Sequence, residues 1–411
     1  MLRRLGGIFL RKILSTLLTL SLIINFQFLH ASTVEAKPYV SARGAVLIEQ
    51  QSGRVLFGHN HRERLGPAST TKIMTAIVAL EYGNLNDVVT ISAAAANVEG
   101  SSMWLEAGEN IRLEDLIWGL LLVSGNDAAT AIAEHIAGST EDFAVLMNEY
   151  AARIGAMNTN FTNPHGLADD EHYTTALDLA LIAAYGLNIP KFAEIVATRR
   201  KVVSWEGREY GRTLNNSNRM LYLYEGSTGV KTGFTRATGR TLVSSAVRTF
   251  EDDVPMQLIA ATLNAPSDWA DHAAMLDYGF YHYAPRVLAQ ENEPFGSILV
   301  TNGEAETLPL KTAARYIFPL RADEELTAQV VSNVPQSVEA PIVVGERLGN
   351  ITVTVDGVEF ADYPIFAGAS VERRKSALGG VVPPTEQSFG ARFVGNVFAV
   401  FADWVVIVAG R

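Results

Sequence analysis

The strongest periodicity in the chain follows Lys72. Ile73, Met74, Ile77, Val78 and Leu80 recur at helical spacing, so this stretch is expected to be a helix with one face on a core. Pro67 and Ser69 stand where such a helix begins, which puts Ser69 in or beside its first turn. Upstream, residues 45–48 and 54–57 are apolar runs around Gln50-Gln51-Ser52-Gly53, the pattern of a strand hairpin. A short strand at 88–91 and an alanine-rich run follow. Residues 113–123 are again helical in pattern and stop at Ser124-Gly125-Asn126; a second helix starts at once at Asp127 and is closed by Gly138. A third helix is expected over 141–154, and another after His172-Tyr173-Thr174-Thr175-Ala176. Residues 240–246 and 257–263 read as strands, and a helix ends near Tyr278. From about residue 286 the pattern changes to short apolar strands at 297–300, 326–331, 341–344 and 351–355. Asp356-Gly357 supplies a hairpin turn signal.

The two ends differ from this body. Arg3, Arg4, Arg11 and Lys12 precede an almost uncharged apolar run over 13–29, and small residues follow up to Ala36. This reads as a secretory signal peptide cut after Ala36, with an uncleaved N-terminal anchor as the rival because the run is long for a leader. At the other end, Val381-Val382-Pro383-Pro384 opens a linker. Residues 393–409 are then apolar except for Asn396 and Asp403, which share one helical face. A narrow polar stripe suits a helix lying in or crossing a membrane interface, although Asp403 in mid-span would be costly. Docking of that helix on the protein itself is the alternative.

Composition narrows the chemistry. With 411 residues, 48% of them hydrophobic, the chain can fill a large core and more than one domain. It has no cysteine, which excludes disulfides, thiolate metal sites and a cysteine nucleophile. Loss of residues 1–36 removes four basic charges and one acidic charge and moves the net charge from −11 to −14. An acidic, exported chain without a basic stripe is not expected to bind nucleic acid.

Three short motifs carry candidate chemistry. In Ser69-Thr70-Thr71-Lys72, the amine lies one helical turn from the hydroxyl, on the same face. A serine hydroxyl is a weak nucleophile until a base takes its proton, and a lysine is such a base when burial or nearby cations depress its pKa. Free backbone N–H groups at the helix start would favour a developing oxyanion. Ser124-Gly125-Asn126, in a break between helices, would point a hydroxyl and an amide outward, for proton relay and for holding a peptide carbonyl. Lys231-Thr232-Gly233, on an edge strand, offers an ammonium, a hydroxyl and a closely approachable backbone. A phosphate-loop reading of that stretch fails, because Val230 separates Gly229 from Lys231 and a strand follows. His59, His61, His165 and His172 read as ordinary loop histidines. Glu134-His135 lacks the first histidine of a zinc motif, since Ala131 stands there. No metal and no cofactor is expected.

In this order, the three motifs resemble the signature of penicillin-binding serine acyltransferases. Pro67-Ala68-Ser69-Thr70-Thr71-Lys72-Ile73-Met74-Thr75, Ser124-Gly125-Asn126-Asp127, Asn163-Pro164-His165-Gly166-Leu167 and Gly229-Val230-Lys231-Thr232-Gly233-Phe234-Thr235 look like those of a low-molecular-mass D-alanyl-D-alanine carboxypeptidase. The resemblance runs over roughly residues 37–370. It implies an α/β (α+β) fold of the DD-peptidase/β-lactamase type, with an antiparallel sheet flanked by helices and a small C-terminal β-rich domain. The division implied is a signal peptide over 1–36, a catalytic domain over 37–285, the β-rich domain over 286–378, and a linker with a membrane-associating segment over 379–411. The protein is then expected outside the cell, attached to the outer face of the cytoplasmic membrane.

The resemblance also assigns roles. Ser69 would attack a peptidoglycan stem peptide between its two D-alanines, Lys72 would be the base, and Ser124 would pass the proton to the departing D-alanine. Asn126 would hold the peptide, Lys231 and Thr232 would bind the terminal carboxylate, and Gly233 would allow close approach. The backbone N–H groups of Ser69 and Phe234 would form the oxyanion hole. β-Lactams would trap the acyl-enzyme. Relatives often carry a carboxylate-clamping arginine before the last helix of this domain, but here Asn264-Ala265-Pro266-Ser267-Asp268-Trp269 has no basic residue. No Glu-x-x-Leu-Asn deacylation motif occurs either, so efficient β-lactam hydrolysis is not expected. A DD-endopeptidase, a β-lactamase or a non-hydrolytic wall-binding scaffold would be the rival functions.

Overall fold

The computed structural model describes residues 37–321, 324, 329–355 and 358–374. The apolar N-terminal run, the Asp356-Gly357 turn and the 379–411 segment lie outside these residues. A five-stranded antiparallel sheet is the backbone of the larger part. Its strands run in the order Val55–His59, Gly44–Glu49, Pro255–Leu263, Gly239–Thr249, Ser227–Thr235. Side chains alternate across it. Val46, Ile48, Val243, Ile259 and Ala261 face a cluster of helices, whereas Ala45, Leu47, Leu242, Leu258 and Ala260 face the single helix Asp268–His282. Both faces are therefore buried, which explains why the central strands read as unbroken apolar runs. Gly279 lets that helix lie close: a Cβ there would come within 2.6 Å of Leu47 and Leu258 side-chain carbons.

The Lys72–Tyr82 helix threads the helical cluster. Its residues from Lys72 to Ala79 are all buried, not just one face, because helices Leu113–Leu122, Asn126–Ala137, Thr140–Ile154 and Ala176–Leu187 surround it. The helix starts and stops obey local chemistry. Ser139 and Thr175 accept backbone N–H bonds from Asp142 and Asp178, each at 3.0 Å, and Gly138 and Gly155 close the preceding helices in the left-handed region.

The β-rich part has a six-stranded sheet in the order Gln329–Asn333, Arg347–Val355, Val358–Ala367, Thr307–Thr312, Pro294–Thr301, Ser337–Glu339. Its core includes Ile298, Leu308, Phe318, Val353 and Ile365. Val355 of one strand stands opposite Val358 of the next. The expected strand over 341–344 is absent: Ile342 makes only an isolated bridge to Val371, and pairing with Pro294–Thr301 is made instead by Ser337–Glu339. Pro341 has no N–H to donate to a ladder. Gln51 fastens the β-rich part to the larger one, donating to Arg315 O and accepting from Ile317 N–H, both at 2.8 Å. Among the described residues no single helix is long and apolar enough to cross a membrane.

Candidate active site

Ser69 sits in a 3-10 turn, Ala68–Thr71, that runs directly into the Lys72–Tyr82 helix. The turn hangs from the sheet: Pro67 O accepts from Thr70 Oγ1 at 2.6 Å and from Thr241 Oγ1, on the adjacent strand, at 2.9 Å. Ala68 is held in the left-handed region, φ 50°, a conformation that costs on the order of 1 kcal/mol or more and persists where neighbours impose it. The neighbour is Gly166, packed so tightly that a Cβ would stand 1.9 Å from Ala68 O.

The Asn163–Leu167 segment is closed on itself by Asn163, whose amide accepts from Gly166 N–H at 2.7 Å and donates to Leu167 O at 3.1 Å. Thr75 Oγ1 fastens it to the helix through Pro164 O at 2.6 Å. This leaves His165 O facing Lys72, and the lysine Nζ has three oxygen neighbours: His165 O at 2.6 Å, Asn126 Oδ1 at 2.7 Å and Ser69 Oγ at 3.0 Å. Burial, reinforced by the positive charge of Lys231 and only partly offset by Asp127, holds Lys72 well below the ordinary lysine pKa. A neutral amine has two N–H groups and one lone pair. The two carbonyl oxygens can only accept, so they take the N–H groups, and the lone pair is left facing the Ser69 hydroxyl.

Asn126 is the first residue of its helix and is buried, in contrast to the outward amide expected from the sequence. Both ends of the amide are engaged, Oδ1 by Lys72 and Nδ2 by Glu99 O at 2.6 Å. The adjacent Asp127 carboxylate orders the 102–105 segment by accepting from Met103 and Leu105 N–H groups. Ser124 has φ 64°; its Oγ is buried, not outward as expected from the sequence, and has no hydrogen-bond partner among the described residues.

The Ser227–Thr235 strand is the sheet edge that meets the nucleophile turn. A Cβ at Gly233 would lie 2.9 Å from Ser69 N and 3.0 Å from Thr70 N, so only glycine admits this approach. Lys231 is buried and pushed down to about 7 by that burial, with Nζ donating to Thr232 O at 2.8 Å. Thr232 Oγ1 lies 2.9 Å from Ser217 Oγ. Phe234 is 63% exposed.

With this geometry, comparison with known proteins is decisive. Residues 31–267 match the D-alanyl-D-alanine carboxypeptidase family, and residues 283–373 match the C-terminal domain of penicillin-binding protein 5. The chain belongs to the D-alanyl-D-alanine carboxypeptidase family. It is 32% identical to D-alanyl-D-alanine carboxypeptidase DacF of Bacillus subtilis, over 89% of this chain and 95% of that protein. It is also 32% identical to DacC of Escherichia coli, over 84% of this chain and 88% of the relative. The crystal structure of penicillin-binding protein 5 from Haemophilus influenzae superposes with a TM-score of 0.65 at 28% identity, covering 82% of this chain and 99% of that one. The protein is thus a low-molecular-mass penicillin-binding protein with a mixed helix-and-sheet catalytic fold and a β-rich C-terminal part.

Within this carboxypeptidase frame, the structure brings Ser69, Lys72 and Asn126 into direct contact and sets Gly233 against the nucleophile turn. It also adds residues that no sequence spacing singled out. His172 is one: its Nδ1 accepts from Thr162 N–H at 3.0 Å, which assigns the proton to Nε2, and Nε2 donates to Thr71 Oγ1 at 2.8 Å. Burial holds it down to about 4, so it is a neutral tie between the nucleophile turn and Thr162, the residue that leads into the Asn163–Leu167 loop. Ser217 is another, fifteen positions from Thr232. No arginine stands in the Asn264–Trp269 stretch; Arg240, packed beside it, is bound to Asp268 Oδ2 at 2.9 Å. Arg240 shares a face with Leu242, on the side of the Asp268–His282 helix, whereas Thr241 faces the nucleophile turn. Among the described residues there is no cluster of three or more side chains that could hold a metal ion.

Proposed function

We propose that this family member removes the terminal D-alanine from peptidoglycan stem peptides through an acyl-enzyme on Ser69, and that β-lactams acylate the same hydroxyl. The observation that carries the reading is the Lys72 amine, held by His165 O and Asn126 Oδ1 at 3.0 Å from Ser69 Oγ, where its deprotonated form turns a lone pair to the hydroxyl. Lys72 takes the Ser69 proton as Oγ adds to the carbonyl between the two D-alanines. The oxyanion that forms is held by the Ser69 and Phe234 N–H groups. When the tetrahedral intermediate collapses, the C–N bond breaks and the leaving D-alanine nitrogen needs a proton. Ser124 Oγ gives that nitrogen its own proton and takes one in turn from the Lys72 ammonium formed in the first step.

Lys231 and Thr232 bind the terminal carboxylate as a cation and a hydroxyl donor, and Asn126 steadies the peptide by turning its Nδ2 from Glu99 O to a substrate carbonyl. Water then attacks the ester, releasing the shortened peptide and returning the proton to Ser69. The exported, membrane-attached location follows from the apolar N-terminal run and the striped 393–409 segment.

The test is incubation of the full chain with diacetyl-Lys-D-Ala-D-Ala, following free D-alanine, beside labelling by a fluorescent penicillin. Release of D-alanine together with labelling that disappears in Ser69→Ala is the expected result. Labelling without release would replace the carboxypeptidase reading by an endopeptidase or a peptide-binding role.

A further inference from the structure

Ser217 lies in the loop between the Arg212–Asn215 strand and the short Met220–Leu223 helix. That loop is fastened on two sides. Ser217 N–H donates to Leu122 O at 3.1 Å, at the end of the helix that leads into Ser124. Asn216 N–H donates to Arg199 O at 2.9 Å, and its side-chain amide donates to Val196 O and Thr198 O at 3.1 and 3.0 Å. The Ser217 backbone is therefore fixed relative to both the Ser124 break and the 196–199 segment, and its exposed hydroxyl lies 2.9 Å from Thr232 Oγ1 on the edge strand.

Each of these hydroxyls has one proton and two lone pairs. In the pair alone, either can donate. A carboxylate removes that ambiguity, because it only accepts. Once Thr232 gives its proton to the anion, its oxygen is left as an acceptor, and Ser217 is the residue in reach to donate to it. The two bonds then polarise in one direction, each strengthening the other. The absence of an arginine from the Asn264–Trp269 stretch and the pairing of Arg240 with Asp268 leave more of the recognition to Thr232.

Resting on the reading that substrates end in a free carboxylate, we propose that Ser217 is a positioning residue: acting through Thr232, it directs the threonine proton at the terminal carboxylate and so sets the preference for free-acid peptides. The experiment compares wild type, Ser217→Ala, Ser217→Thr, Thr232→Ala and the Ser217→Ala/Thr232→Ala double variant by D-alanine release from diacetyl-Lys-D-Ala-D-Ala. Ser217→Ala is expected to raise KM roughly three- to tenfold with kcat changed less than about twofold, the size of one neutral hydrogen bond. Ser217→Thr should recover most of the loss. In the Thr232→Ala background, Ser217→Ala should add nothing, because the residue through which it acts is gone. An unchanged KM in Ser217→Ala, or an equal loss in both backgrounds, would overturn the proposal in favour of a loop-holding role. Failure of wild type to release D-alanine would overturn the carboxypeptidase reading instead, so the two failures are distinct.

Discussion

His172 Nε2 lies 2.8 Å from the Thr71 hydroxyl, one residue before Lys72, and its Nδ1 is bonded to Thr162 N–H. One neutral ring thus joins the nucleophile turn to Thr162, the residue that leads into the loop whose His165 carbonyl orients the lysine. Replacement by alanine leaves the buried Thr71 hydroxyl and the half-buried Thr162 N–H without this partner. His172→Ala should cost about 2–3 kcal/mol of stability. Turnover should fall roughly tenfold or more through misplacement of Ser69. Urea unfolding at neutral pH and D-alanine release measure the two effects, and unchanged stability would contradict the bridging role.

Lys72→Arg should be as inactive as Lys72→Ala. A guanidinium cannot lose its proton in a protein, so it keeps the charge and loses the base. Expected is a fall of at least about 10³-fold in penicillin acylation with far-UV circular dichroism unchanged. Residual acylation near the wild-type rate would mean that another group takes the Ser69 proton.

Ser124→Ala should separate stability from catalysis. The Ser124 Oγ is buried without a partner, a state that opposes folding. Its removal is expected to leave stability unchanged or raise it by up to about 1 kcal/mol. Turnover of the peptide should drop roughly 10²- to 10⁴-fold for want of a proton relay. Thermal unfolding and steady-state kinetics on the same sample are the check, and a destabilised but active variant would point to a structural serine.

The pH dependence has a definite sign. Lys231, pushed down to about 7, carries the charge that attracts a carboxylate only below that value. For a free-acid peptide, kcat/KM should therefore decline as pH rises through about 7. Protonation of Lys72 should lower it again on the acid side. Lys231→Arg keeps its charge and should lack the alkaline decline. Stability moves oppositely. Between about pH 7 and the ordinary lysine value the unfolded chain holds a proton that the folded Lys231 has lost, so this residue's contribution rises with pH. An alkaline decline that persists in Lys231→Arg would assign it to a different group.

The chain's local chemistry determined a good deal by itself. Periodic apolar residues after Lys72 specify a helix, the three-residue step from Ser69 puts an amine and a hydroxyl on one face, and alternation of apolar strands and turn residues after about residue 286 specifies a β-rich part. These features are set by neighbours within a few positions, where helix and strand geometry relate spacing directly to direction. Tertiary structure decided the rest. The helix after Lys72 is buried all round as far as Ala79, not on one face, because other helices enclose it. The 341–344 stretch makes only the isolated Ile342–Val371 bridge, and Ser337–Glu339 is the strand that pairs with Pro294–Thr301, since pairing depends on the partner strand. His172 meets Thr71 across 101 positions, Lys72 meets His165 O across 93, and Arg240 is committed to Asp268. Lysine pKa values belong here as well: the same side chain titrates near its ordinary value in water and far below it when burial and a second cation surround it. Spacing along the chain can put a hydroxyl beside an amine, but only packing removes the water that would keep that amine charged.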